Sequence, residues 1–324
     1  MLLNLIILNF KDRKLLKIIL ILIVILAVLF FMYAIFKTLF LKRQEKVNEK
    51  KITKEFSYVN IKTKAERINI YLSDTNENKI VYKQSRKYIL NLEVENESLN
   101  ITRCDKRRFY EKMFDYSVRD LTIYLSENLL NIVEVYNKRG DIKINSMPNI
   151  KDLHVNNVTG NIIINKCVNL RNIDLNSTTG NIKTEDVTSE NINIKVITGN
   201  TVLVNTVLAG NLNIKGVTGD IKTEDVTCGN IGIKVTTGDA ILVNTIATGN
   251  LDMNGVTGDL IFDGFDANNI NAKLTTGKVK GTILSSKFFV AKSTTGKINV
   301  PETREGGECR IKLTTGNVDI KYKE

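Results

Sequence analysis

The residues best suited to chemistry are two adjacent carboxylate pairs, Glu185–Asp186 and Glu224–Asp225. Paired carboxylates are what glycoside hydrolysis needs, one as acid and the other as base or nucleophile. These pairs, however, are copies of each other. Residues 180–218 and 219–257 are identical at 25 of 39 positions. In a stacked repeat the two pairs stand two coils apart, or about 9.6 Å. An inverting glycosidase tolerates a gap of that size. Yet no basic partner cluster and no aromatic stripe for a sugar accompanies them. The coil between them is expected to place Asn205–Thr206 at that point, and the coil after Glu224–Asp225 to place Asn244–Thr245, which separates the like charges.

The other reactive side chains are scattered. His154 is the only histidine, and the sequence offers it no partner. Cys104, Cys167, Cys228 and Cys309 form no CxxC pair, so neither a disulfide framework nor a zinc site is expected. Cys167 and Cys309 fall at apolar repeat positions, and Cys228 falls at a corner where the earlier copy has Ser189. Arg139–Gly140–Asp141 spells an integrin-type tripeptide, and Asn157-Val158-Thr159 a glycosylation triplet, but the repeat itself generates both. No Gly-rich loop opens a helix, and the calcium-binding nonapeptide is missing. The sequence therefore assigns no catalytic residue, no cofactor and no metal.

The charge is unevenly distributed. Of the net +11, residues 1–54 carry +8 (11 basic, three acidic), residues 55–139 carry +2 and residues 140–324 only +1. Phosphate-backbone binding requires a basic face, so nucleic acid is not an expected partner. The basic residues beside the apolar segment, Lys37, Lys42, Arg43 and Lys46, suit anionic lipid headgroups. Residues 103–119 add Arg103, Lys106, Arg107 and Arg108 beside Phe109, Tyr110, Phe114 and Tyr116. That stretch reads as a solvated loop with its aromatics tucked inward, or else as a patch for lipid or wall polymer.

Positioning these residues falls to three kinds of element. Residues 18–36 form an uncharged run of 19 that spans about 28 Å as a helix, close to a bilayer core. No small-x-small cleavage site follows it, so an uncleaved anchor is expected. Basic residues flank it on both sides, and the positive-inside count does not orient it. From Ile52 to Asn137, short alternating runs such as YVNIKT (58–63), INIYL (68–72) and LTIYL (121–125) read as half-buried strands.

Beyond them, glycines recur every 19 or 20 residues. They are Gly140, Gly160, Gly180, Gly199, Gly219, Gly238, Gly258, Gly277, Gly296 and Gly316. Nine follow a Thr, and eight precede Asn or Asp, the exceptions being Lys278 and Lys297. A fixed period near 20 with period-two apolar alternation predicts an all-β parallel solenoid, its turns built on Gly160 through Gly316. The units at Gly199 and Gly238 are expected to carry one extra residue before their first strand, shifting it to Val202 and Ile241. Lys321, Lys323 and Glu324 are placed to protect the last edge. The domain plan is a cytoplasmic basic segment (1–17), a transmembrane helix (18–36), a basic linker (37–54), a strand-rich capping module (55–139) and the solenoid (140–324).

The segment LTIYLSENLLNIVEVYNKRGDIKI (121–144), followed by tandem TTG-N/D-I-x units, resembles the β-strand-repeat "putative adhesin" domains of Gram-positive envelope proteins, including those of Lia-type stress systems. The likeness covers about residues 55–324, and Ser126 departs from it where members often have Pro. It implies a non-enzymatic extracytoplasmic domain, hence an N-in, C-out anchor at the cell membrane, and it carries over no site residues. Three functions follow. The first is an envelope interaction, adhesion or stress-sensing module whose partners are the membrane and an envelope polymer or membrane protein. The second is a self-assembling scaffold, possibly facing the cytoplasm. The third is a polysaccharide-active enzyme.

Overall fold

The computed structural model describes residues 10–43, 45–113, 115, 117–128 and 130–324, with backbone alone for 10–15, 38, 41–43, 110 and 113. Of the residues singled out above, Phe114 and Tyr116 lie outside the described residues, as do the side chains of Lys42, Arg43 and Tyr110. Two compact units are present. One contains the helix Phe10–Arg43 with Lys83–Ile89 and Cys104–Ser117; the other contains Asn48–Tyr82, Leu90–Arg103 and Val118–Glu324.

In the first unit, the window Leu16–Lys37 (22 residues, mean hydropathy 3.4) is long and apolar enough to cross a membrane. Of side chains 16–36 only Ala34 is buried. A helix apolar all round needs an apolar surrounding.

The second unit is a β-solenoid of about 10 turns. A typical coil runs along Ile150–Thr159, turns at Gly160 and continues through Ile162–Asn165. Every coil pairs in parallel with the next, so each side chain stacks on its counterpart. Leu153, Ile173, Ile192, Leu212 and Ile231 make one inward column, and all are at most 1% exposed. Each fully buried side chain of this size contributes about 1.5–3 kcal/mol.

Two corners shape the coil. At the first, the glycines have φ from 116° at Gly140 to 152° at Gly296. The coil beneath makes glycine necessary there: a Cβ on Gly219 would lie 2.0 Å from the carbonyl oxygen of Gly199. The Asx residue after each glycine builds a ladder. Its side-chain oxygen accepts the backbone N–H of the next Asx, from Asp141 through Asn161, Asn181, Asn200, Asp220 and Asp239 to Asp259, at 2.7–2.9 Å. Lys278 ends that run by donating its N–H to Asp259 at 2.8 Å. At the second corner Ser146, Lys166, Asp186, Asn205, Asp225 and Asn244 hold φ of 44–55° and Gly264 65°. Short polar side chains tolerate this left-handed geometry by hydrogen-bonding locally.

The stack does not follow chain order at either end. Tyr58–Lys62 pairs with both Ser98–Asp105 and Leu130–Arg139, and Glu66–Leu72 with both Arg119–Leu125 and Ile142–Asn145. The coil of residues 58–72 thus lies directly against the coil of 130–145. Solenoid pairing therefore begins inside the strand-rich capping module, because Val59, Ile61, Ile68 and Ile70 continue the inward columns. What closes this end is the antiparallel pairing of Asn78–Gln84 on Arg119–Leu125. At the other end, Gly307–Thr315 pairs with both Leu260–Thr276 and Lys287–Thr295, and Val318–Tyr322 with both Val279–Ile283 and Ile298–Asn299. The final coil is inserted beneath its predecessor. The outer edge belongs to 287–299, not to Lys321, Lys323 and Glu324; Lys323 instead approaches Asp263 at 3.4 Å.

The extra residue of the 20-residue units also sits elsewhere. Ile182, Thr201, Ile221, Ala240 and Leu260 share one column, so Thr201 and Ala240 point inward and Val202 and Ile241 outward. The added residue lies at the later corner, between Leu208 and Leu212 in the first unit and between Ala247 and Asn250 in the second.

Two substitutions test this packing by thermal unfolding. Gly219→Ala, strained in φ and clashing, should cost about 3 kcal/mol or more. Ile233→Ala should cost about 2–5 kcal/mol through lost burial and a cavity. A Gly219→Ala protein as stable as the parent would contradict the corner geometry.

Candidate functional site

Outward side chains of the long strand form columns counted back from each corner glycine. Six residues before it stand Glu134, His154, Asp174, Asn193, Asn213, Gly232, Asp252 and Asn271. Hydrogen bonds run along this column: Asn193 and Asn213 each donate Nδ2 to the preceding member, at 2.9 and 3.1 Å. His154 does have a partner, with Nδ1 2.9 Å from Asp174 Oδ2. An open groove of about 650 Å³ runs over these coils, lined by Glu134, His154, Asn156, Asp174, Lys195 and Lys215 among others.

Four residues before the glycines the column reads Tyr136, Asn156, Asn176, Lys195, Lys215, Lys234, Asn254, Lys273, Lys312 and Lys292 in stacking order. All six lysines are exposed. No ion pair with any of them is present among the described residues. Their flanking positions explain why. Every coil with a lysine here has Asn, Gly, Arg or Val two residues earlier and Ile, Val or Thr two residues later. The carboxylates of the neighbouring column, Glu134, Asp174 and Asp252, fall only in coils that lack the lysine.

The near-neutral charge of residues 140–324 conceals this file of cations. The signal was available in the glycine register, where six of ten units have Lys four residues before the glycine. Averaging charge over the whole region hid it.

The carboxylate pairs sit on a different face and are neutralised. Lys183 reaches Glu185 and Lys222 reaches Glu224, each at 2.7 Å. The strand ladder sets Val204 between Glu185 and Glu224, and Val243 beyond. The residues spacing the pairs are therefore Val204–Asn205 and Val243–Asn244, one position earlier than the sequence spacing implied. Asp186 and Asp225 occupy the left-handed corner, where Asn205 and Asn244 donate to them at 3.1 and 3.2 Å. The geometry gives all four carboxylates structural work.

Cys167, Cys228 and Cys309 are buried, Cys228 pointing inward at its corner. Burial pushes the Cys167 thiol up to about 11 and those of Cys228 and Cys309 up to about 12. None is a thiolate at neutral pH. No group of three metal-ligating side chains occurs among the described residues.

Charged residues of the 103–119 segment are paired, several of them with residues outside it. In the solenoid unit, Arg103 Nε donates to Glu66 at 2.7 Å with both side chains fully buried. In the helical unit, Arg107 forms a two-pronged contact with Asp105 at 2.8 Å, also bonds Asp115, and lies over the Tyr88 ring at 4.6 Å. Glu111, fully buried, accepts from Lys87 Nζ at 2.8 Å and from the Arg108 N–H at 2.7 Å, with Lys37 Nζ at 4.0 Å. Phe109, whose side chain alone among the four aromatics is described, is 78% exposed rather than tucked inward. Lys37 thus faces a carboxylate, while Lys46 begins the strand Lys46–Ile52.

With this geometry in view, the Toastrack DUF4097 family model matches residues 56–242 and again 209–324. The chain belongs to the Toastrack DUF4097 family. Among solved structures, the "putative lipid binding protein" of Parabacteroides distasonis ATCC 8503 shares the Toastrack fold at a TM-score of 0.50 and 14% identity, over 86% of this chain and 97% of its own. The "putative adhesin" of Bacteroides fragilis NCTC 9343 aligns at a TM-score of 0.40 and 14% identity, over 85% and 97%. That of Parabacteroides merdae ATCC 43184 aligns at 0.42 and 12%, over 86% and 97%. No curated protein matches.

Glu111 offers a pH test outside the solenoid. Burial opposes its ionisation most, but the Lys87 and Arg108 hydrogen bonds and the Lys87 and Lys37 charges outweigh it and hold its pKa below 4.5. A depressed carboxylate pKa stabilises above the unfolded value, and that stabilisation is lost as pH falls through the folded one. A carboxyl-carbon NMR titration should place the Glu111 midpoint below 4.5, and Lys87→Met should move it upward. A parent midpoint above that value would contradict the arrangement.

Proposed function

We propose that this Toastrack protein is a single-pass membrane protein whose solenoid stands outside the cell and binds envelope components through its lateral faces, without covalent chemistry. The observation that carries this reading is the repetition of identical outward side chains along a stack of coils. Such a surface offers many equivalent weak contacts, which add up by multivalency, rather than one deep reaction pocket. The two carboxylate pairs support it, since Glu185 and Glu224 each meet a neighbouring lysine and Asp186 and Asp225 each hold a corner.

The apolar window Leu16–Lys37 serves as the anchor. An uncleaved anchor fits an N-in, C-out orientation. Two cations on its C-terminal side, Lys37 and Lys51, face Glu111 and Glu77 at 4.0 and 2.7 Å. The basic residues at Lys42, Arg43 and Lys46 then lie where anionic headgroups accumulate.

In intact cells, added protease should degrade a C-terminal tag on the full-length chain, and the chain should remain in the membrane fraction. The purified chain should be retained on isolated envelope polymers without releasing product. A protected tag would favour the cytoplasmic scaffold. Product that disappears in Glu185→Gln/Glu224→Gln protein would establish an enzyme instead.

A further inference from the structure

We infer that the lysine file is a binding track for a linear polyanion, a single-chain polyol phosphate polymer lying along the solenoid axis. This deepens the reading above by naming the ligand class of the lateral face.

Five observations carry it. First, Lys195, Lys215, Lys234, Lys273, Lys312 and Lys292 occupy one column, interrupted only by Asn254. Six intervals of about 4.8 Å make the track about 29 Å long. Second, like charges stacked directly opposite one another repel, so a column of this kind destabilises the sheet unless something neutralises it. Third, the fold has the means to neutralise lysines and uses it elsewhere. On another face Lys183 and Lys222 each have a glutamate two residues on, at 2.7 Å. Along the file that arrangement is missing in all six coils, and the nearby carboxylates fall in the other coils. The counter-charge must therefore come from outside the chain.

Fourth, the file is one lysine wide. Amides at Asn193, Asn213 and Asn271 flank it on one side, where Asp252 and the Glu308-paired Arg310 also stand, and Ile197, Val217, Thr236, Thr275 and Thr314 flank it on the other. A membrane surface would call for charges spread in two dimensions. A single strand of alternating phosphate and polyol fits one row of ammonium groups, with the amides of Asn193, Asn213 and Asn271 beside it to take hydroxyls. Fifth, the column changes character beyond Lys195, to Asn176, Asn156 and Tyr136. The groove over those coils holds Glu134 and Asp174, so the phosphates of the polymer are confined to the lysine end of the column.

The test uses full-length protein in zwitterionic nanodiscs and fluorescently labelled poly(glycerol phosphate), read by anisotropy at several salt concentrations. The parent should bind and weaken as salt rises. Replacing Lys195, Lys215, Lys234 and Lys273 together by Gln should weaken binding about tenfold or more. Replacing Lys143, Lys183, Lys222 and Lys280 by Gln removes the same charge from another face and should change affinity less than about twofold. Circular dichroism confirms that both variants keep the parent spectrum. Equal losses in the two variants would show attraction to net charge alone and overturn the inference. So would absent binding, or displacement of the polymer by phosphatidylglycerol vesicles or single-stranded DNA at equal charge concentration. The assay is independent of membrane orientation and of turnover, so its failure would leave the non-covalent envelope reading standing on its own tests.

Discussion

Parallel stacking about 4.8 Å apart, residue on like residue, is the constraint on which the rest of the structure depends. It multiplies whatever one coil contains. Apolar residues become continuous inward columns, and an Asx after the corner becomes a hydrogen-bonded ladder from Asp141 to Asp259. A glycine at the corner obliges the coil above to have one too, because a Cβ there would meet the carbonyl oxygen beneath. Charge is multiplied in the same way, and the two sheet faces deal with it differently. One pairs Lys183 with Glu185 inside the coil and sets Val204 between repeats. The other lets lysines accumulate without an internal counter-ion.

Much of this fold was legible in the sequence because the constraint is local. The glycine period, the Thr before it, the Asx after it and the inward alternation of Ile192, Ile194 and Val196 all follow from one coil resting on the next. The stacking order at the ends was not legible, because any coil of the right pattern can rest on any other. Connections decide the order there, and residues 73–97 and 300–306 do not encode it in their periodicity. Periodicity alone therefore does not show that the coil of 58–72 rests on that of 130–145, nor that the last coil lies beneath its predecessor. The second corner was missed because Asp, Asn, Ser and Lys share its left-handed geometry, so no single residue type marks it. The Glu111 knot was invisible for another reason: Lys37 and Lys87 reach it from distant parts of the chain.

The lysine file shows a different kind of blindness. Its residues carry no motif, and the charge of residues 140–324 sums to +1. Only register turns six dispersed lysines into a row, and only the ladder at the C-terminal end shows that Lys312 lies between Lys273 and Lys292. In this solenoid the makeup of a surface column thus depends on the order of the coils as much as on their sequence.

Continuity of the file through the inserted coil is therefore the claim to test most directly. In a background with the four native cysteines replaced, Lys273→Cys/Lys312→Cys and Lys273→Cys/Lys292→Cys proteins are oxidised and digested. Disulfides need Cα atoms about 4.4–6.8 Å apart, which adjacent coils satisfy and second neighbours at about 9.6 Å do not. The account predicts cross-linking of 273 with 312 and none of 273 with 292. The reverse outcome would mean that the coils stack in chain order, and that the row of lysines is not the one described.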